Sequence, residues 1–382
     1  MSSTRPWVPA ALVASMLVVA SGTYVLLGAH QSPIRQHAKT PVQVAPPAPA
    51  LKLPGTMYMV QAGAVYSLSS GKFSQLTDPS GWAQVAVIPD GSGLIAVKRT
   101  GYYSDLYHLG LDGHVVAQLT HNAAPSRYSD IGTNHWSFYP SVQPGSRTIF
   151  MSYDSGKDYS YEVDLAIWQI PIGGARSGWR QWSYPNGYTG GDVQPVPLAS
   201  GGLLYVKYDQ DANGNKASQI WLKSSQYGNS TALTSLADDC SQPALSPDGT
   251  TLAMVCSYQQ QRADLVLAPF NGTSLGPPRT VLSQVVAQPT WAPDGSGIAF
   301  FSPALADQPF QLWWLPKTQY TPPAPSPSPA VVASPSPKSK SASKPVASPK
   351  PAPSPTPVPP PKAVQITTDL GLDATAPIAW RP

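Results

Sequence analysis

The chain has 382 residues, 45 of them proline, with 12% charged side chains and a formal charge of +4. Length alone admits two or three domains, but the prolines gather at two places and leave one region able to bury a large core. Two cysteines are too few for a zinc or redox cysteine motif, no nucleic-acid partner is expected, and helical periodicity is missing after the first 30 residues, which favours an all-β domain rich in turns.

Trp7 to Ala29 is an uncharged, mostly apolar run of 23 residues preceded by Arg5, long enough to cross a bilayer as a helix. Residues 1–30 therefore read as a transmembrane anchor or a signal sequence. The run continues past the weak cleavage site Ala20-Ser21-Gly22, which favours a retained anchor, and the lack of an early cysteine excludes a lipid-modified start. The expected location is the cell membrane, single-pass, with the folded part extracytoplasmic. Residues 31–54 follow as a Pro-rich tether; at ~3.1 Å per residue it reaches roughly 75 Å.

From there the chain repeats itself. Ala86 to Arg99 (AVIPDGSGLIAVKR), Ala244 to Ser257 (ALSPDGTTLAMVCS) and Gln288 to Ser302 (QPTWAPDGSGIAFFS) share one plan: a short apolar run, Pro-Asp-Gly with one or two small residues, then an alternating apolar run. Pro presets φ, Asp bonds its own backbone and Gly takes positive φ, so each copy predicts a tight antiparallel hairpin. Val142 to Ser152 and Pro197 to Lys207 keep the pattern with eroded turns. A second signature alternates with the first: four apolar or aromatic residues such as Ile167-Trp168-Gln169-Ile170, a turn, and a strand ending in Leu-Thr or Ile-Thr (Leu76-Thr77, Leu119-Thr120, Leu233-Thr234, Ile366-Thr367).

Two hairpins per unit make four strands, the blade of a propeller. Five complete units start near Asp78, His121, Tyr184, Ser235 and Ser283. The C-terminal Ala376-Pro377-Ile378-Ala379-Trp380 parallels Gln288-Pro289-Thr290-Trp291 and supplies the inner strand that Met57 to Thr77 lacks, which predicts a sixth blade closed by the two chain ends. Residues 321–362, made of Pro, Ser, Ala and Lys without acid or aromatic, read as a disordered insertion in one hairpin turn, because Ala363 to Thr367 resumes the same blade. The propeller is thus expected over 55–320 and 363–382. Lys338, Lys340, Lys344, Lys350 and Lys362 carry the positive balance: without these five the formal charge would fall from +4 to −1. Cys240 and Cys256 flank the Ser246-Pro247-Asp248-Gly249 turn at nearly facing positions; a cross-strand disulfide is the favoured reading, and one buried with one surface thiol the other.

The SPDG-type hairpins, the Leu-Thr endings and the six-unit count resemble the TolB-like six-bladed propellers, with Asp238 to Gly249 and Ala287 to Gly295 the nearest to that family's repeat. The resemblance implies a protein-binding or sensing propeller. TolB has a separate N-terminal domain where this chain has only the tether, so no direct role in the same system is implied.

In a propeller, the loops joining strands two and three and the loops joining blades lie on one face, and the hairpin turns within blades on the other. Asp90, Asp112, Asp248 and Asp294 fall in hairpin turns, while the remaining 16 of 20 acidic residues map to the loop face. Tyrosines gather there as well, which suits a protein or envelope-polymer partner. Candidate contacts are Trp136, Tyr139, Tyr188, Asp192, Tyr102 and Tyr103, on a chain expected to be monomeric. Repeat-wise capping explains several of the aspartates equally well. Asp209, Asp211 and Asn213 match the opening of a calcium loop, although Ile220 stands where its final carboxylate belongs. No serine-nucleophile elbow or metal-spaced histidines occur, so the expected role is non-catalytic binding. The alternatives are a hydrolase or lyase with a metal-assisted site at the channel mouth, or a sensor ectodomain.

Overall fold

Each Pro-Asp-Gly segment closes as its residues dictate. Gly91, Gly249 and Gly295 take φ of 76°, 71° and 69°, and the preceding aspartate accepts the amide two residues on: Ser92 N to Asp90 Oδ1 at 2.8 Å, Thr250 N to Asp248 Oδ1 at 3.1 Å, Ser296 N to Asp294 Oδ1 at 2.9 Å. A Cβ at those glycines would demand a backbone region that L-residues rarely enter. These turns join the first two strands of their blades. In a computed structural model that describes residues 53–124, 132–155, 163–258, 263–321 and 361–382, the hairpins assemble into six four-stranded antiparallel sheets.

The first three strands, β1 (Thr56–Gln61), β2 (Ala64–Ser69) and β3 (Lys72–Gln75), await a partner. The second blade comprises β4 (Trp82–Val87), β5 (Leu94–Arg99), β6 (Ser104–Leu109) and β7 (Val115–Gln118), and the third β8 (Ser137–Val142), β9 (Thr148–Tyr153), β10 (Ala166–Pro171) and β11 (Arg180–Gln181). Blade four holds β12 (Asp192–Pro197), β13 (Leu203–Gln210), β14 (Lys216–Lys223) and β15 (Ser230–Ala232). Blade five holds β16 (Cys240–Leu245), β17 (Thr251–Cys256), β18 (Asp264–Pro269) and β19 (Arg279–Leu282). Blade six is β20 (Ala287–Trp291), β21 (Gly297–Pro303), β22 (Phe310–Pro316) and β23 (Val364–Gln365), and β24 (Ala379–Arg381) ends the chain. β24 pairs with β1, Thr56 opposite Arg381 and Tyr58 opposite Ala379, so the two ends complete the first blade and no sheet edge is left open at the seam.

The Leu-Thr endings have a mechanical purpose. The hydroxyl oxygens of Thr77, Thr120, Thr234 and Thr367 each accept the amide of a strand-three residue (Val65, Leu106, Ile220, Leu312), and Ser183 does the same for Ile167, all at 2.9 Å. Each hydroxyl satisfies a backbone donor just where the short outer strand stops pairing. The apolar clusters lie at the seams between neighbouring blades: Met57, Met59 and Phe301 join the sixth blade to the first, and Ile95, Ile149 and Met151 the second to the third. Burial of roughly 1.5–3 kcal/mol per large aliphatic side chain makes the seams the main source of stability.

β22 pairs with β23 across the insertion, Trp313 opposite Gln365, and Lys362 N bonds Gln319 Oε1 at 3.1 Å where the chain returns. The segment therefore departs from and rejoins one hairpin. The expected span Trp7–Ala29, the tether as far as residue 52 and positions 322–360 lie outside the described residues. Among the described residues no helix is long and apolar enough to cross a membrane.

Candidate functional site

The first strand of every blade lines the axis, and four of these strands carry a residue in the left-handed region before a proline: Tyr139, Gln194, Gln242 and Gln288, at φ of 51° to 54°. The ladder register slips at each of them. Such a conformation costs a non-glycine residue of the order of 1 kcal/mol, and the compensation lies across the seam. Gln84 Oε1 accepts Tyr139 N at 2.5 Å, Gln194 Oε1 accepts Gln242 N at 2.8 Å, and Gln242 Oε1 accepts Gln288 N at 2.6 Å. Gln288 Nε2 in turn donates to the Ala374 and Thr375 carbonyls at 3.3 and 3.4 Å. At Tyr139, Gln242 and Gln288 the bulge turns an amide out of its own sheet, and the glutamine of the preceding blade takes it.

Inside this relay is an axial cavity of about 270 Å³. Its walls are Gln194, Gln242 and Gln288, the prolines that follow them, and small or apolar side chains such as Ala86, Ser141, Val196, Ala244, Thr290 and Ile378. Among the described residues no Asp, Glu, His, Lys or Arg lines it, and Tyr139 is the one ionisable side chain in its wall. General acid–base chemistry needs titrating groups placed against the substrate, and the cavity supplies none besides that phenol.

Charge lies instead on the rims. Of the seventeen aspartates in the described residues, thirteen belong to the loops between blades and between second and third strands, or to strand ends beside them. Asp105, Asp154, Asp192, Asp239 and Asp264 among these are buried. Asp105 accepts from the Thr120 hydroxyl at 2.7 Å and from Asn122 N at 2.9 Å, and its burial raises its pKa. Asp239 accepts from both the amide and the hydroxyl of Ser218 at 2.8 Å. Repeat-wise capping therefore accounts for Asp105 and Asp239, and the surface charge comes from the aspartates that are not buried, among them Asp78, Asp307 and Asp369, which are exposed.

Residues 182–191, between β11 and β12, form the most structured part of this face. Asp164 accepts the amides of Tyr188 at 2.7 Å, Thr189 at 3.0 Å and Gly190 at 2.8 Å. From below, Lys207 Nζ reaches the Tyr184 carbonyl at 3.0 Å and Asp192 Oδ1 at 3.3 Å. Burial pushes the Asp192 carboxyl up and the Lys207 ammonium opposes it. The loop so held presents Tyr184 at 76% and Tyr188 at 63% exposure.

The sequence-derived candidates fall into two groups. Tyr188, and Tyr102 at 44% exposure, reach solvent, with Tyr103 half-buried beside Tyr102 in a loop whose two amides bond Thr100 Oγ1. Trp136 and Asp192 are buried: Trp136 stacks on Phe138 at 5.8 Å with the Arg99 guanidinium 5.5 Å over its ring. Tyr139 sits at the cavity wall and packs on Leu165, Val193 and Val206 at the seam of blades three and four. Asp209 and Asp211 belong to the β13–β14 hairpin, where Asp211 accepts the amides of Asn213 and Asn215 at 2.8 Å; the Asn215 amide is the main cause of its lowered pKa. Among the described residues no three His, Cys, Asp or Glu side chains gather as a metal cluster. Cys240 pairs with Cys256 in register and the two sulfurs are bonded. The glutamine relay escaped the sequence reading, although Gln-Pro recurs at 194, 242 and 288; Tyr184 escaped it because nothing local separates an exposed tyrosine from a seam residue.

Together these features define a six-bladed β-propeller with an uncharged axial cavity and an aspartate-rich loop face. Two solved structures share the architecture. A structure assigned to TolB of Agrobacterium tumefaciens superposes with a TM-score of 0.54 at 12% identity, covering 86% of this chain and 98% of that one. TolB from Acinetobacter baumannii gives 0.52 at 13% identity, covering 69% of this chain and 62% of that one. At such identities the likeness is one of fold, the TolB propeller fold that the repeats resemble. No family model matches the chain, and neither does any curated protein.

Proposed function

We propose that this propeller is a non-catalytic binding module whose loop face takes a basic partner, a protein or a cationic envelope polymer, and that residues 1–30 hold it at the membrane with the propeller extracytoplasmic. The observation that carries the reading is the loop of residues 182–191, whose backbone is fixed by Asp164 and Lys207 while Tyr184 and Tyr188 stand out of it on the aspartate-rich face. Tyrosines held this way lose little entropy on contact, and aromatic residues are favoured as energetic anchors of interfaces. The surrounding carboxylates select for a cationic partner and speed its approach. The hydrolase or lyase alternative has no comparable support, since no paired titrating side chains line the cavity among the described residues.

The test uses the immobilised full chain, titrated with a lysine-rich peptide and a matched glutamate-rich peptide over a salt series, alongside capture from envelope extracts. Binding of the basic peptide alone, weakening with salt, is expected. Tyr184→Ala with Tyr188→Ala should reduce affinity at least tenfold at unchanged melting temperature. Equal binding of both peptides, or wild-type affinity in the double variant, removes the reading.

A further inference from the structure

The face opposite the loops has the reverse charge. Lys72, Arg147, Arg176, Arg180, Arg279 and Lys317 are all exposed at its hairpin turns and strand ends, and Lys362 joins them where the insertion returns. The only carboxylates there among the described residues are Asp90, Asp112, Asp248 and Asp294, each accepting the amide two residues on within its own turn. Asp90 additionally neutralises Arg147 at 3.1 Å. The propeller is therefore polarised along its axis, cationic at the hairpin turns and anionic at the loops.

Two further observations say what the cationic face meets. Tyr227, in the turn between β14 and β15, is 89% exposed on the same face. It is the most exposed of the large hydrophobic side chains among the described residues, a ring with a polar tip of the kind that settles at headgroup level. The chain also enters the fold here: Thr56 pairs with Arg381, and the Trp380 indole donates to the Pro54 carbonyl at 2.7 Å, so the first described residues lie on this side.

We infer that the hairpin face is a docking surface for a bilayer containing anionic phospholipid, with Arg176, Arg180, Arg279 and Lys317 at the headgroups and Tyr227 between them. Attraction at one face and repulsion at the other act in the same sense, so the axis stands along the membrane normal and the loops point away from the lipid. The inference stands independently of whether the loop face takes a partner.

The experiment places an environment-sensitive dye at Tyr227→Cys in the full chain, whose two native cysteines are disulfide-bonded and unreactive, and a second dye at Tyr188→Cys in a separate sample. With vesicles of phosphatidylcholine plus phosphatidylserine, the dye at 227 should shift to the blue and the dye at 188 should not; phosphatidylcholine alone should shift neither. Reversing Arg176, Arg180, Arg279 and Lys317 to glutamate should abolish the shift in a protein whose circular dichroism is unchanged, while Lys338, Lys340, Lys344 and Lys350 to glutamine should leave it. The idea is overturned by a shift on neutral vesicles, by no shift at 227, or by equal shifts at both positions. It fails too if loss follows the insertion lysines instead of the folded face, or if soluble polyphosphate binds where vesicles do not.

Discussion

Gln242→Ala tests the relay around the axis. The substitution removes the oxygen that accepts Gln288 N at 2.6 Å, and Gln288 is only 7% exposed, so a largely buried donor loses its partner. A buried amide left unsatisfied costs about 1–3 kcal/mol; entry of cavity water would bring the value to the lower half of that range. Gln242 keeps its own left-handed backbone, because its amide still donates to Gln194 Oε1, and alanine tolerates φ of 54° no better and little worse than glutamine. The net expectation is about 1–2 kcal/mol, or a fall of roughly 2–4 °C for a domain of this size. Calorimetry of the full chain measures it, with Gln194→Ala as a companion one seam away. Gln194 Oε1 accepts the Gln242 amide, so the two sites belong to one network and the double variant should depart from the sum by about 0.5 kcal/mol or more. A melting temperature within about 1 °C of wild type would show that the relay is geometry without energy.

Other consequences follow from the same contacts. Thr120→Val removes both the acceptor of Leu106 N and a donor to the buried Asp105, whereas Thr77→Val removes only the acceptor of Val65 N; denaturant unfolding should show a loss of about 2–4 kcal/mol for the first and about 1–2 kcal/mol for the second. Reducing the Cys240–Cys256 bond, which closes a separation of 16 residues, should lower stability by about 3 kcal/mol. Both sulfurs are buried, so dithiothreitol should act only as denaturant exposes them. Tyr153, Tyr205 and Tyr320 have pKa values pushed up to about 12, chiefly by burial, against 10.0 in the unfolded chain. The folded state then keeps protons that the unfolded state releases. Stability should be intact below pH 10 and decline toward pH 12, by roughly 2 kcal/mol per tyrosine, seen as tyrosinate absorbance rising together with loss of circular dichroism.

The blade repeat is legible in the sequence because its determinants are local. A Pro-Asp-Gly turn needs positive φ within four residues of the aspartate that caps it, and Leu119-Thr120 bonds a strand it follows by a single hairpin. Closure is legible for the same reason: the segment around Trp380 repeats the inner-strand pattern of Gln288 to Trp291, and an unpaired inner strand has one vacant place to go. The surface is less legible. Asp192 ends the same interblade loop that carries Tyr184 and Tyr188, and Trp136 ends the loop one blade earlier, yet Asp192 and Trp136 are buried and the two tyrosines exposed. What decides between them is contact with residues far along the chain, such as Arg99 over Trp136 and Lys207 against Asp192. The relay is hidden in a similar way, since Gln242 and Gln288 are separated by a whole blade.

The polarity of the ring follows from its connectivity. Turns within a blade must reverse the chain in a few residues, so their aspartates are drawn in to cap backbone amides and contribute exposed but isolated charge. Connections between blades must cross from an outer strand to the next inner one, and the longer path leaves room both for a buried carboxylate such as Asp239 and for an exposed one such as Asp369. The loops between second and third strands on the same face, with the strand ends beside them, add the buried Asp105 and the exposed Asp307. The cations show the opposite preference: Lys72, Arg180 and Arg279 each open an outer strand directly after a hairpin turn. An outermost strand has one unpaired edge, and a long charged side chain beside it discourages pairing with another sheet. Protection of the blade edges and the cationic face thus share the same residues. Charge reversal at Arg180 and Arg279 should therefore weaken attachment to anionic lipid while leaving the oligomeric state of the wild type unchanged, because glutamate guards an edge as well as arginine does. Neutral apolar substitution at the same two positions should promote self-association, which sedimentation velocity distinguishes, and a monomer in that case would refute the link between edge and face.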